Sequence, residues 1–165
     1  MAMKPPTDSP DEFIARLRGN WRTVVLGTVS PDGEPEASIA AAVLGEGGTI
    51  FLYVSGLAAH TRNLRASGRA SVLLAEDESS ATEPLARRRL TFACRAAPVA
   101  RDRPEFATIM AAFRTRFGAT IDVLATLPDF QLFHLSPERG RLVVGFGQAF
   151  EVGPGDWSIK ARIGA

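Results

Sequence analysis

The chain has 165 residues, of which 45% are hydrophobic and 22% charged, the balance of an ordinary soluble globular protein. This length suits one domain, which we predict over residues 1–165. The formal net charge of +1 gives no overall field that favours nucleic acid or a membrane as a partner. The one cysteine, Cys94, argues against a disulfide framework and a cysteine-based zinc site, and no metal site is predicted. Without a signal peptide or an apolar spanning segment, we expect a cytoplasmic protein.

The first predicted element is a short helix. Residues 1–9 are polar and contain prolines, which predicts a flexible N-terminus. Ser9 is a preferred capping residue and Pro10 suits the first helical position, so a helix is predicted to begin there. Its apolar stripe ends near Gly19-Asn20.

Three predicted strands follow, over residues 21–29, 36–44 and 49–54. The first two are separated by a turn that contains Asp32-Gly33, and the next turn is the glycine-rich run 45–48. Strands joined in this way form an antiparallel meander. The spacing then becomes helical over residues 57–66, and Gly68 ends that helix.

The second half of the chain predicts four more strands and two more helices. Strands are expected over residues 70–75, 85–99, 129–135 and 139–152, the last two around a turn at Ser136-Pro137-Glu138. Residues 76–82 read as an exposed loop, and helices are expected over 104–117 and 119–127. Because the strands follow one another and do not alternate with helices, the predicted fold class is mainly β (α+β): a closed or split antiparallel barrel with a few peripheral helices.

The junction between the third strand and the helix after it has the groups that an anion needs. Unpaired backbone N–H groups at a helix start attract anions, and Ser55 can add a hydroxyl. His60 and Asn63 share a helix face, and a series of arginines begins at Arg62. These residues favour a phosphate site. The alternative is that Ser55 caps the helix and the arginines form a solvated face.

A second candidate is Arg88, in the run Arg87-Arg88-Arg89 at the start of a predicted strand. Strand alternation puts Arg88 on the face that carries Leu90 and Phe92. An arginine on an apolar face needs either a carboxylate such as Glu76 or an anionic ligand. Both interpretations stay open at this point.

Two other side chains are assigned more ordinary roles. His134 lies in a strand between Phe133 and Leu135, and such a histidine is more often a packed or surface residue than a ligand. Trp157 has no evident core role, and we interpret it as a cover for a planar ring or for a partner subunit.

Four motifs in order resemble those of a known family: 57–64 (LAAHTRNL), 87–91 (RRRLT), 129–130 (DF) and 140–147 (GRLVVGFG). Over residues 13–152 the chain resembles the pyridoxamine 5'-phosphate oxidase-like FMN-binding split-barrel family, in its haem-utilisation (HugZ-like) branch. The resemblance implies a split β-barrel and a homodimer with two flavin sites between the subunits. It also implies that the strand-to-helix segment holds the FMN phosphate. The cofactor-binding residues expected from this reasoning are Ser55, His60, Thr61, Arg62, Asn63 and Arg88.

The expected function is that of an FMN-binding oxidoreductase-like protein acting on a small molecule, with its substrate and catalytic residues unassigned. The alternative is a haem-binding or haem-utilisation protein of the same fold, without flavin turnover. Family members of that kind can bind iron through a histidine near the C-terminus. This chain contains only His60 and His134, so we expect no tight haem binding through a C-terminal histidine.

Overall fold

The computed structural model describes residues 8–164, which fold into a β-barrel with four α-helices. The predicted flexible terminus, residues 1–9, lies outside the described residues apart from Asp8 and Ser9. The strands are β1 (Thr23–Val29), β2 (Pro35–Leu44), β3 (Ile50–Ser55), β4 (Arg69–Ala75), β5 (Arg89–Val99), β6 (Phe130–Gly145), β7 (Gln148–Val152) and β8 (Ile159–Ile163). The helices are α1 (Pro10–Asn20), α2 (Ala59–Ser67), α3 (Pro104–Phe117) and α4 (Ala119–Ala125).

Six of the strands close the barrel. The sheet order is β3-β2-β1-β4-β5-β6-β7-β8, and a further pairing of β3 with β6 joins the ends of the first six strands. Every pairing is antiparallel. Closure leaves β3 without a free edge, which protects it from pairing with other chains. The predicted mainly β class, an antiparallel barrel with peripheral helices, is confirmed.

Two helices cover the two ends of the barrel. α1 begins with a capping box, in which the Ser9 hydroxyl accepts from the Glu12 N–H at 3.2 Å and the Glu12 carboxylate accepts from the Ser9 N–H at 2.7 Å. Its buried residues Phe13, Ile14 and Leu17 join the core inside the barrel. We call this the α1 end. α2 lies between the last residue of β3 and the first of β4, at the opposite end of those strands, which we call the α2 end.

A second apolar cluster lies outside the barrel wall. Ile109, Met110 and Phe113 of α3 pack against Tyr53 of β3 and Leu132 of β6. This cluster fixes α3 and α4 to the outside of the sheet, and α3 runs from the α2 end towards the α1 end, where Arg116 donates to the carbonyls of Gly19 and Trp21. Among the described helices, the longest being the 14 residues of α3, none combines the length and apolar character that a bilayer crossing requires.

The structure corrects three strand predictions. β5 begins at Arg89 and not at residue 85, because Pro84 opens a short 3-10 turn that ends at Ala86. β6 runs without a break through Ser136-Pro137-Glu138, where a turn was predicted, since a β-bulge in β6 leaves Glu138 unpaired while β5 stays regular opposite it. The predicted strand 139–152 is interrupted by a turn at Phe146-Gly147, which separates β6 from β7; β8 was not predicted.

The interpretation of Trp157 as a cover for a ligand or a partner is also wrong for this chain. Trp157 is fully buried in the barrel core, with its ring centroid 4.9 Å from that of Phe92. Its indole N–H donates to the carbonyl of Gly48 at 3.2 Å. The backbone at Trp157 has φ 59°, a left-handed conformation that costs free energy in a bulky residue. Burial of the indole offsets that cost and closes the α1 end.

Candidate functional site

The candidate site lies at the α2 end, where β3 ends against the start of β6. The Ser55 hydroxyl donates to the Asp129 carboxylate at 2.6 Å and accepts from the Leu57 N–H at 3.1 Å. A Cβ atom at Gly56 would come within 2.8 Å of the Asp129 carbonyl oxygen, so glycine allows the two segments to meet. Ser55 therefore joins β3 to Asp129. The alternative interpretation of the sequence, that Ser55 caps α2, is wrong.

Three of the predicted cofactor-binding side chains hydrogen-bond within the chain. Thr61 is fully buried and its hydroxyl donates to the Ser55 carbonyl at 2.6 Å. Asn63 is buried and its amide donates to the Thr28 hydroxyl at 3.0 Å. The exposed Arg62 donates to the Leu57 carbonyl at 3.0 Å. The structure brings Ser55, Thr61, Arg62 and Asn63 together, and Thr61 and Asn63 hold α2 on the barrel.

His60 is the residue of this site that has a ring nitrogen free to bind a ligand. Its Nδ1 atom lies 2.9 Å from the Ser38 hydroxyl of β2, in a partly buried position. No hydrogen bond reaches its Nε2 atom from any residue between 8 and 164. Burial lowers the pKa of His60 below its usual 6.5, and the nearby Glu36 opposes that shift without cancelling it. The imidazole is therefore neutral at pH 7, with one nitrogen positioned by Ser38 and the other unbonded.

The α2 end carries charged side chains of both signs. Arg62 and Arg65 are exposed on α2, and the Arg65 side chain donates to the Gln131 amide oxygen at 2.9 Å. Asp129 faces Ser55, and its carboxylate adds negative charge to the place proposed for a phosphate. The α2 end thus has exposed guanidinium groups on α2 and a carboxylate directly before β6.

Arg88 lies at the other end of the barrel. It directly precedes β5, whose first residue, Arg89, pairs with Ala75, the last residue of β4. α2 lies before the first residue of β4, at the opposite end of that strand. At about 3.3 Å per residue, the length of β4 separates Arg88 from α2 by roughly 20 Å. Its side chain is 9% exposed, and its Nε atom pairs with Glu76 at 2.9 Å, the carboxylate partner that the sequence suggested. Arg88 and the α2 residues therefore do not come together within one chain.

His134 fits the role expected for it. Its ring stacks on Phe51 with the centroids 5.6 Å apart, and its Nε2 atom lies 3.2 Å from the Ser136 hydroxyl. Two residues of the α2 end escaped the sequence reasoning as site residues: Ser38, far from His60 in the chain, and Asp129, which was noted only as part of a motif. The order of the motifs was the one signal that pointed to Asp129.

The comparisons with known proteins agree with this fold. The family model of pyridoxamine 5'-phosphate oxidase matches residues 10–144. The protein named Heme oxygenase HutZ of Vibrio cholerae is 41% identical over 143 residues, which are 87% of this chain and 81% of HutZ. The crystal structure of HutZ, described as a haem storage protein, has a TM-score of 0.77 at 38% identity and covers 84% of this chain and 96% of its own.

A further solved structure shows the same architecture. ChuZ of Campylobacter jejuni has a TM-score of 0.82 at 26% identity, and the match covers 93% of this chain and 62% of ChuZ. The family that the sequence motifs suggested is thus confirmed by a family model, by a similar sequence and by similar structures. The chain belongs to the pyridoxamine 5'-phosphate oxidase family, with HutZ among its relatives.

Proposed function

We propose that the protein binds haem at the α2 end of its barrel and serves in haem utilisation. The observation that carries this proposal is the 41% identity to HutZ over 87% of the chain. A haem-binding protein from Mycobacterium smegmatis adds support, with a TM-score of 0.74 at 29% identity over 88% of this chain. The comparisons favour haem over FMN, which reverses the order expected from the sequence.

The donor set at the α2 end fits a haem iron. Haem iron in proteins takes a histidine, cysteine, methionine or tyrosine ligand. Cys94 is 2% exposed, and burial raises the pKa of its thiol to about 12, so it is an inert core residue. His134 already engages its Nε2 atom with Ser136. His60 has a neutral imidazole and an unbonded Nε2, the form in which histidine binds a metal.

The surroundings of His60 fit the other parts of a haem, its propionates and its macrocycle. Metal-binding histidines are usually oriented by a hydrogen bond at their second nitrogen, and the Ser38 hydroxyl provides that contact here. The exposed guanidinium groups of Arg62 and Arg65 can hold the propionate carboxylates. Leu57, 80% exposed beside them, offers apolar surface to the macrocycle. Haem, when bound, would supply an iron centre for oxygen chemistry.

HutZ is named an oxygenase in one description and a storage protein in another. Both descriptions share haem binding, and that is the function we propose. Cytoplasmic location also stays a prediction.

FMN is the second candidate, and the observation that favours it is the family match itself, which spans the whole β3–α2 segment. In this alternative the FMN phosphate binds the start of α2 near Arg62. The side chains of Ser55, Thr61 and Asn63 would first have to release their partners inside the chain. That requirement, together with the Asp129 carboxylate, makes phosphate binding here weaker than the sequence suggested.

Absorbance spectroscopy separates the two candidates. The purified protein is titrated with haem in the Soret region, alongside His60→Ala and His134→Ala variants. We expect a stoichiometric transition in the wild-type protein and in His134→Ala, and loss of tight binding in His60→Ala. Flavin bands in the purified protein, or equal haem affinity in His60→Ala, would contradict the proposal.

The expected homodimer is also a proposal, and the outer face of the barrel supports it. In the register of the sheet, Ile39 of β2 faces Val25 of β1, which faces Leu73 of β4. Ile39 is 70% exposed and Val25 is 40% exposed. A row of apolar side chains across three strands is unfavourable in water, and a second copy would bury it. An obligate interface of this kind buries about 2,000 Å² or more.

A further inference from the structure

The outer face of the barrel has a shape that can pack against a second copy of itself. The apolar row formed by Ile39, Val25 and Leu73 is a ridge across β2, β1 and β4. Beside it, towards the α2 end, the outward side chains of four strands are small and form a trough: Ala37, Gly27, Ser71 and Ala93. Sheets that pack face to face interdigitate their side chains, and a ridge next to a trough allows this.

Charge divides this face into an acidic half and a basic half. No lysine or arginine occurs between Arg22 and Arg62, so β1, β2 and β3 contain no basic residue. The turn between β1 and β2 exposes the carboxylates of Asp32 and Glu34, which form no ion pair within residues 8–164. The exposed arginines of the basic half come from β4, β5 and β6: Arg69, Arg95, Arg139 and Arg141.

The basic half keeps an excess of positive charge after its own carboxylates are counted. Glu138 pairs with Arg95 at 2.5 Å and lies 4.0 Å from Arg69, so one carboxylate serves two arginines. The second carboxylate, that of Glu151 in β7, lies opposite Arg141 in the register of the sheet. Four arginines and two carboxylates leave two positive charges, which equal in number the two exposed carboxylates of the β1–β2 turn.

A two-fold axis along the strands, between β1 and β4, makes this face complementary to itself. It places β2 of one copy over β5 of the other, and β1 over β4, so that Val25 meets Leu73 of the partner subunit. At the α2 end of these strands Pro35 pairs with Val29 and Arg69 pairs with Arg95. Glu34, which precedes Pro35, then meets Arg95 of the partner subunit. An axis across the strands would instead bring the acidic turn towards Glu46, which repels it.

We propose that the protein dimerises through this face about that axis, with the β1–β2 turn of each subunit bound to the basic half of the other. The inference rests on the homodimer proposed above and adds its symmetry axis and its charged contacts. Burial of the apolar row stabilises the dimer, and the charges at its edge select this arrangement over others.

Two single charge reversals in the full chain test the contact by sedimentation at micromolar concentration. A Glu34→Arg homodimer would join two positive charges at each contact, and an Arg95→Glu homodimer two negative charges. Each variant alone should therefore dimerise at least about tenfold more weakly than the wild type. An equimolar mixture of the two should dimerise tightly again, because both contacts of the mixed dimer join opposite charges. Asp11→Arg makes the same charge change at an exposed position of α1, off this face, and should leave dimerisation unchanged.

The outcomes separate the charged contact from the dimer itself. A wild-type chain that is monomeric at micromolar concentration would refute the homodimer and this arrangement together. A wild-type dimer whose affinity survives Glu34→Arg, or a mixture that binds no more tightly than either variant alone, would overturn the arrangement and leave the homodimer in place. Salt decides the matter if Arg95→Glu does not fold. The dissociation constant of the wild-type dimer should rise severalfold from about 0.05 to about 0.5 M NaCl, and a constant that stays level or falls would overturn the proposal.

Discussion

Substitution of Ser38 by alanine tests how the barrel positions the proposed haem ligand. The Ser38 hydroxyl lies 2.9 Å from His60 Nδ1, on the inner face of β2, and is the hydrogen-bond partner that the structure gives to this imidazole. Removal of such an orienting partner typically lowers metal affinity by about 10–100-fold. In free energy this corresponds to roughly 1.4–2.8 kcal/mol, more than the ~1 kcal/mol of an average neutral hydrogen bond.

The assay is a haem titration in the Soret region at pH 7, and the chain contains its own matched control. Ser136 makes the equivalent contact with His134, at 3.2 Å from Nε2, outside the α2 end. We expect Ser38→Ala to weaken haem binding within the stated range and Ser136→Ala to leave it unchanged. Equal affinities in wild-type and Ser38→Ala, or equal losses in the two variants, would refute the assignment of His60 as the oriented ligand.

Three further predictions concern pH, stability and assembly. Because burial lowers the pKa of His60, its imidazole is protonated at a lower pH in the folded state than in the unfolded chain. Haem affinity should therefore be constant near pH 7 and fall, with some loss of stability, as the pH drops below 6.5. A Soret titration from about pH 8 to 5 measures this, and a pH-independent affinity would contradict it. Trp157→Ala should lower the free energy of unfolding in urea by about 3–5 kcal/mol, whereas the exposed Phe146→Ala should change it by about 0.5 kcal/mol or less. Ile39→Lys should convert the expected dimer to a monomer in sedimentation at micromolar concentration, while Leu85→Lys, at an equally exposed position off the apolar row, should not.

Local sequence signals predicted most elements of this fold. The α1 boundaries follow from Ser9, Pro10 and the apolar spacing after them, and α3 begins and ends where its spacing predicted. The failures lie where tertiary contacts outweigh local preference. Ser136-Pro137-Glu138 reads as a turn on its own, but the pairing of β6 with β5 keeps it extended. Trp157 is an isolated aromatic in the sequence and a core residue in the structure.

The candidate site also combines residues that the sequence could group with a contact that only the structure shows. The residues from Ser55 to Asn63 are close in the chain, so spacing alone could group them, and the family motifs did so. Neither spacing nor motif order revealed that Ser38 reaches His60, since that contact joins β2 to α2 across the closed barrel.

The sequence by itself determined the family, the strand order of the meander and the presence of an arginine that needs a carboxylate. Those features depend on residue types and on neighbours along the chain. Only the tertiary structure decided that Arg88 and α2 lie at opposite ends of the barrel, because strand length and closure set that separation. It also decided that the side chains of Thr61 and Asn63 form hydrogen bonds within the chain. His60, by contrast, keeps one ring nitrogen without a hydrogen bond among the described residues. Burial and three-dimensional distance determine the separation of Arg88 from α2 and the hydrogen-bond partners of the α2 residues. Neither quantity can be read from the order of residues along the chain.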